Sequence, residues 1–189
     1  MIVFRKAIKE DIEKAADIYS DIHTLEETGV VDFFGGMDDL AQGMLRCVGE
    51  PRTRFEEDGL RILRGLRFAS VLQFSLEPAT ESALRLEKHR LTMVSAERIR
   101  EELIKMLCGD GAFDVLSSFP DVLGVVLPEL LPAVGFDQRN FHHVYPLYEH
   151  LIHTVKNVPP LPRLRLAALF HETAAVGQKS NTHHRQTSE

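Results

Sequence analysis

Tryptophan is absent from the 189 residues, and cysteine occurs twice. Cys47 and Cys108 are far apart and lack metal-ligand spacing, so no disulfide framework is expected and a reducing cytoplasm is the default setting. No apolar run approaches the ~18 residues that a membrane span needs, so no membrane partner is expected. The opening MIVFRKAIKED is charged too early for a secretory signal. Twelve glycines and nine prolines are too few for a fibrous or repeat architecture. What remains is 44% hydrophobic and 26% charged, the composition of a globular chain of one domain or two small ones. The net charge of −6 argues against an indiscriminate nucleic-acid coat. Residues 52–105 nevertheless hold eleven basic residues against nine acidic ones, leaving eleven and nineteen elsewhere. Such a local basic segment suits a confined anionic ligand, or simply solvated helix faces.

The periodicity is mainly helical. Residues 2–7 read as a short strand, followed by a helix from about Lys9 to Thr24 on Ile12, Ala15, Ala16 and Tyr19. A loop-rich stretch around Gly35-Gly36 leads to a short helix through Arg46, which Asp38 or Asp39 could cap, and Pro51 breaks the chain. From Glu56 the pattern predicts a helix with Leu60, Leu63 and Leu66 on its apolar edge, widened by Ile62 and Ala69. Thr80 can cap a helix over Glu81–His89, and Ser95 can start one that runs to Leu107 and stops at Gly109. Shorter helices are expected around 111–118 and 120–132, then over Pro146–Val158 and Arg163–His171. No strand alternation appears after residue 7, and the polar last dozen residues read as a disordered tail. The fold class is therefore mainly α.

On a continuous helix, Glu57 and Asp58 would both sit one turn from Arg61. As a surface ion pair that geometry contributes about 0.3–0.5 kcal/mol. The same geometry can read a base. Cytosine and adenine both offer an exocyclic amine beside an unprotonated ring nitrogen. A carboxylate accepts from the amine and a guanidinium donates to the ring nitrogen. Guanine and uracil present the opposite polarity there. Arg64 and Arg67 follow at three-residue steps and could meet phosphates.

Residues 31–107 resemble the class II tRNA nucleotidyltransferase/poly(A) polymerase family, which includes the CCA-adding enzymes. Three motifs carry the likeness in order. The hinge motif appears as Asp32, Gly35-Gly36, Asp39-Leu40 and Arg46; the nucleotide-reading EDxxR as Glu57, Asp58 and Arg61; the neck motif as Glu97, Arg98 and Ile99 with Glu102 and Lys105. The resemblance implies that Asp58 and Arg61 template incoming CTP or ATP with Arg64 and Arg67 nearby. It also implies a helical neck and body that help hold the tRNA acceptor end, and Mg2+ for the complete enzyme. Phosphoryl transfer needs metal held by closely spaced carboxylates. The family supplies these from a head with a Gly-Ser turn and an Asp-x-Asp pair, and this chain contains neither. No cofactor and no catalytic residue are thus expected in this chain alone, which reads as a fragment inactive by itself.

Residues 1–29 resemble the opening strand and helix of the N-acetyltransferase superfamily, without its Gly-rich pyrophosphate loop. Seven of the nine histidines lie in 142–184. There, HHVYPLYEHLIHTV and LPRLRLAALFHET resemble the start of an HD phosphohydrolase domain. His150 would be its first ligand, and His171 and Glu172 fall at the His-Asp signature, with Glu replacing Asp. No Asp follows Asp137, so no productive metal site is expected. The organisation expected is an N-acetyltransferase-like unit at 1–29, a hinge at 30–51, a neck and body at 52–135, a truncated HD-like segment at 136–176 and a tail at 177–189. The second reading is a non-catalytic helical interaction module or fusion remnant. Its apolar surface around Leu123–Leu131 and Leu164–Phe170 would favour self-association.

Overall fold

The computed structural model describes Asp32 and residues 34–136 and 145–173. The strand at 2–7, the helix at Lys9–Thr24 with its acetyltransferase-like reading, His142, His143, His183, His184 and the tail lie outside the described residues. What is described is mainly α, as the periodicity predicts.

The first helix, α1 (Gly36–Gln42), is not capped by Asp38 or Asp39, which sit within its first turn. Asp32 does that work from four residues before the helix. Its carboxylate accepts the Met37 N–H at 2.7 Å and the Phe34 N–H at 3.1 Å. The Met37 and Gly36 amides hold this carboxyl below its ordinary range. A short strand, β1 (Met44–Leu45), follows. Pro51 opens α2 (Pro51–Glu57) rather than ending an element, because a missing N–H costs nothing at a helix start.

The long helix expected from Glu56 is two helices. Asp58 is extended, at φ −151 and ψ 103, and the chain re-enters a helix only at α3 (Leu60–Leu72). The apolar edge of α3 is as predicted: Leu60, Ile62, Leu63, Leu66 and Ala69 are all buried. Ser75–Leu76 forms β2, which pairs parallel with β1 in the register Met44↔Ser75 and Leu45↔Leu76. These strands have two residues each, too short to leave an alternation in sequence.

Thr80 lies inside the first turn of α4 (Pro78–Leu86), and the cap is Glu77. Glu77 accepts the Thr80 N–H at 2.7 Å and its hydroxyl at 2.8 Å, while Thr80 Oγ1 accepts the buried Cys47 N–H at 3.0 Å. A 3-10 turn over Lys88–Met93 leads into α5 (Ala96–Leu107), which starts after Ser95 as predicted. α5 packs along α3, and its exit closes onto the same helix. The Ser70 hydroxyl donates to the Met106 carbonyl at 2.6 Å, and the Gly111 N–H donates to the Ser70 carbonyl at 2.8 Å.

The remaining elements are α6 (Ala112–Ser118), α7 (Pro120–Val126), a 3-10 turn over Pro128–Ala133, α8 (Leu147–Asn157) and α9 (Pro162–Phe170). α8 lies against α6, where the buried Tyr148 hydroxyl donates to the Leu116 carbonyl at 2.8 Å, and α9 lies against α8 and α5. One apolar core runs from Leu45 to Leu169. The apolar surface expected at Leu123–Leu131 is mostly interior, since Leu123 and Leu130 are buried while Leu131 is exposed. Leu164 is exposed, but Ala168 and Leu169 of the same segment are not.

Candidate functional site

The break between α2 and α3 places the Glu57-Asp58…Arg61 constellation at a helix junction, not along one helix. Gly59 makes the junction possible. A Cβ there would stand 2.8 Å from the Arg90 carbonyl oxygen and 3.1 Å from its carbonyl carbon. Two backbone bonds restart the helix: Arg61 N–H to Asp58 O at 3.0 Å and Ile62 N–H to Gly59 O at 3.1 Å. The Asp58 side chain then reaches forward, its Oδ1 accepting the Leu60 N–H at 3.1 Å, an aspartate turn that steadies the first turn of α3. The Asp-Gly pair was the sequence signal for this turn.

The two expected base-reading groups are each held by a third residue. Arg61 Nη1 donates to Glu57 Oε2 at 2.6 Å and to the Arg54 carbonyl at 3.0 Å. Glu57 also takes Arg54 Nη1 at 3.1 Å. These guanidinium hydrogen bonds, from Arg61 first and Arg54 second, hold the Glu57 carboxyl below its usual range. Asp58 Oδ2 accepts from Arg98 Nη2 at 3.1 Å. Both reading groups stay within reach of solvent, with side chains 27% exposed for Asp58 and 26% for Arg61. Glu57 and Asp58 are thus engaged by arginines and a backbone amide, and do not fit a carboxylate pair free to hold magnesium.

Arg64 and Arg67 do not form a simple phosphate row. Both turn to Glu102, a buried carboxylate on α5, at 3.5 Å and 3.0 Å. The Arg67 Nε to Glu102 Oε2 contact is ionic, without the alignment of a hydrogen bond. Arg64 remains 46% exposed and still faces solvent, while Arg67 is mostly covered. The neck residues Arg98 and Glu102 are therefore brought onto the reading segment; Glu97 and Lys105 are exposed elsewhere on α5. The hinge pair also comes together, Arg46 gripping Asp39 through two bonds of 2.9 and 3.1 Å. A cluster around the buried Glu87 ties α2 to the 3-10 turn. Glu87 takes Arg90 at 2.6 Å and Arg52 at 2.9 Å, and Glu56 takes Arg90 at 3.1 Å.

His150, His171 and Glu172 meet at the far end, across α8 and α9. The two Nε2 atoms are 3.3 Å apart, and one ligand atom from each of the three residues lies within 4.8 Å of the others. His171 Nδ1 faces the Ala168 carbonyl at 2.8 Å, the contact that orients an imidazole and leaves Nε2 as its acceptor. The longer Glu172 arm does reach the pair, at 3.9 and 4.0 Å. A separate cleft of about 480 Å3, bordered by Gln73, Phe74, Leu76, Arg85 and Phe119, contains none of the reading residues.

A family model described as the "Probable RNA and SrmB-binding site of polymerase A" matches residues 73–119. The CCA-adding enzyme of Enterococcus faecalis is 42% identical over 109 residues, which is 57% of this chain and 27% of that enzyme. That of Bacillus subtilis is 38% identical over 139 residues, 74% of this chain and 34% of that enzyme. Over its matched length, this chain is similar to the CCA-adding enzymes. A solved structure of the Bacillus stearothermophilus CCA-adding enzyme in complex with CTP is 41% identical, covers 46% of this chain and 22% of that chain, and superposes with a TM-score of 0.45. This chain spans about a third or less of the curated CCA-adding enzymes it matches.

Proposed function

We propose that this chain is the base-reading and RNA-facing portion of a tRNA nucleotidyltransferase, selecting CTP and ATP through Asp58 and Arg61. One observation carries the reading. The acceptor and the donor are each fixed by a third residue of opposite charge, Arg98 for Asp58 and Glu57 for Arg61, and both remain partly exposed. Fixed in this way, a carboxylate and a guanidinium can meet an amine and a ring nitrogen without first reorganising. Each well-made polar pair contributes about 1–3 kcal/mol of discrimination against the wrong base. The matched 73–119 segment and the arginine-rich face beside it supply the surface for a tRNA acceptor end.

Reading is separated from transfer in this proposal. The chain has no Asp-x-Asp pair, and the carboxylates at the site are held by arginines. Incubation with magnesium, CTP, ATP and a tRNA lacking its 3′ end should therefore give no extension. A cytoplasmic setting belongs to the same reading, since Cys47 and Cys108 are both free thiols. Among the described residues no helix is long and apolar enough to cross a membrane.

The deciding measurement is binding of CTP, ATP, GTP and UTP to the full chain. CTP and ATP should bind more tightly than the other two, and Asp58→Ala and Arg61→Ala should each abolish the difference. Equal affinity for all four, or a preference untouched by both substitutions, would end the proposal.

A further inference from the structure

The cleft beside Gln73 runs between α4 and α6, with the end of α3 and β2 beneath it. Its volume of about 480 Å3 falls in the range of pockets that take a small ligand, or one long side chain with its flanking backbone. Val115 and Phe119 are buried at its floor, and Phe74 and Leu76 add apolar surface that the core covers only in part. The rim is polar: α4 contributes Glu81 and Arg85, and α6 contributes Asp114 and Ser118.

The sign of the free charge decides what fits. Arg85 is the one cation among the described residues that border the cleft. Each of its nitrogens is already engaged. Nε and Nη2 donate to Glu81 Oε1 at 3.0 and 2.9 Å, Nη1 donates to Asp121 Oδ1 at 2.7 Å, and Nη2 also donates to the Ser118 carbonyl at 2.9 Å. The guanidinium lies over the Phe119 ring, 4.5 Å from its centroid. This brace joins α4 to the end of α6 and leaves no cation for a phosphate. Acceptors remain. Both Arg85 bonds to Glu81 fall on Oε1, so Oε2 keeps its lone pairs. Asp114 is exposed and forms no ion pair with a described residue. Arg64 and Arg98, the exposed arginines beside the reading segment, do not border the cleft. A strand of RNA would bring phosphates against two carboxylates with acceptor capacity to spare, whereas a cation would find both.

We propose that this cleft docks an arginine side chain of a protein partner, its guanidinium between Glu81 and Asp114 and its methylene stem on Phe74, Leu76 and Val115. Arginine suits the cleft better than lysine. Its planar fork of five donors can serve two separate carboxylates, and its face stacks on an aromatic ring as that of Arg85 does on Phe119. The stem buries on apolar surface while the charged head stays at the rim. Docking here is independent of base reading at Asp58 and Arg61.

The test is amide NMR of the full chain with three probes: the peptide acetyl-Ala-Leu-Arg-Leu-Ala-amide, the same peptide with glutamate in place of arginine, and a uridine hexanucleotide. The arginine peptide should shift the resonances of residues 73–76 and 111–119, saturate at millimolar concentration and weaken with added salt. The other two probes should leave those resonances in place. Asp114→Asn should weaken the arginine peptide about fivefold, the worth of one exposed charge pair, and Asp114→Arg should abolish its binding. Glu129→Gln, outside the cleft, should change nothing. Asp114 has no cation to lose, so both of its variants should melt near the parent temperature. Absence of shifts with the arginine peptide overturns the proposal, as does equal binding of the glutamate peptide or an affinity untouched by Asp114→Asn. Larger shifts of the same resonances with the hexanucleotide would make the cleft an RNA site, and shifts that grow with chain concentration without any probe would make it a contact between two copies. Either result overturns arginine docking.

Discussion

At the scale of single residues, the site is a set of charges that hold one another in place. Glu102 is a buried carboxylate beside the reading segment and faces two arginines. Removing one partner of such a group leaves charge without compensation, which costs more than an exposed pair ever contributes. Glu102→Ala should therefore destabilise the chain by about 2–4 kcal/mol, read from denaturant unfolding. A loss below half a kcal/mol would show that solvent already satisfies Arg67. Glu57 behaves differently because it is exposed and its effect depends on pH. Its carboxyl is held below 4.5, the ordinary value, by Arg61 first and Arg54 second. A depressed carboxylate contributes stability that is present above the unfolded value and lost as pH falls through the folded one. The melting-temperature gap between the parent and Glu57→Gln should thus be full at pH 7 and close below pH 4.5. A gap that stays constant down to pH 3 would mean that the Arg61 contact contributes nothing.

At the scale of elements, the junction between α2 and α3 decides how Asp58 and Arg61 are presented. Gly59 sits against the Arg90 backbone with no room for a methyl group. Gly59→Ala must push α3 away from the 3-10 turn, at about 1–3 kcal/mol for an overpacked site, and it should blunt the proposed CTP preference as well. Urea unfolding and CTP binding check the two effects. Full stability with a weakened preference would contradict the steric argument. The same junction shows what could be read in the sequence and what could not. The apolar edge of α3, the start of α5 at Ser95 and the shorter helices of the second half follow from 3.6-residue periodicity, and all appear close to where they are expected. The break at Asp58–Gly59 was signalled only by the Asp-Gly pair, because the charged run around it fits a helix equally well. The choice was made by tertiary contact with Arg90. Asp32, Glu77 and Glu50 cap their helices, where Asp38, Asp39 and Thr80 were the local candidates. The pairing of Arg98 with Asp58 was equally out of reach. A motif names its residues, whereas which cation meets which carboxylate forty positions away depends on how α5 lies on α3.

At the scale of the whole molecule, α8 and α9 extend the core of the preceding helices. Leu147, Leu151, Ile152 and Val155 are buried, and Tyr148 bonds to the Leu116 carbonyl inside α6. The sequence suggests a division near 135, where a likeness to one family gives way to a likeness to another. Apolar contact crosses that point without a gap, and shared burial makes neighbouring segments unfold together. Leu151→Ala tests this directly, because the side chain is fully buried and lies outside the proposed base-reading group of Asp58 and Arg61. The substitution leaves a cavity and should cost about 2–5 kcal/mol. If residues 145–173 belong to one cooperative unit with the body, the entire melting transition shifts down as a single step. Near-UV signal and helical content should then fall at the same temperature. A melt that splits in two, with only the lower step moved by the substitution, would show that α8 and α9 unfold apart from the helices that carry Asp58 and Arg61. In that case CTP should raise the upper step alone, because a ligand stabilises only the unit to which it binds.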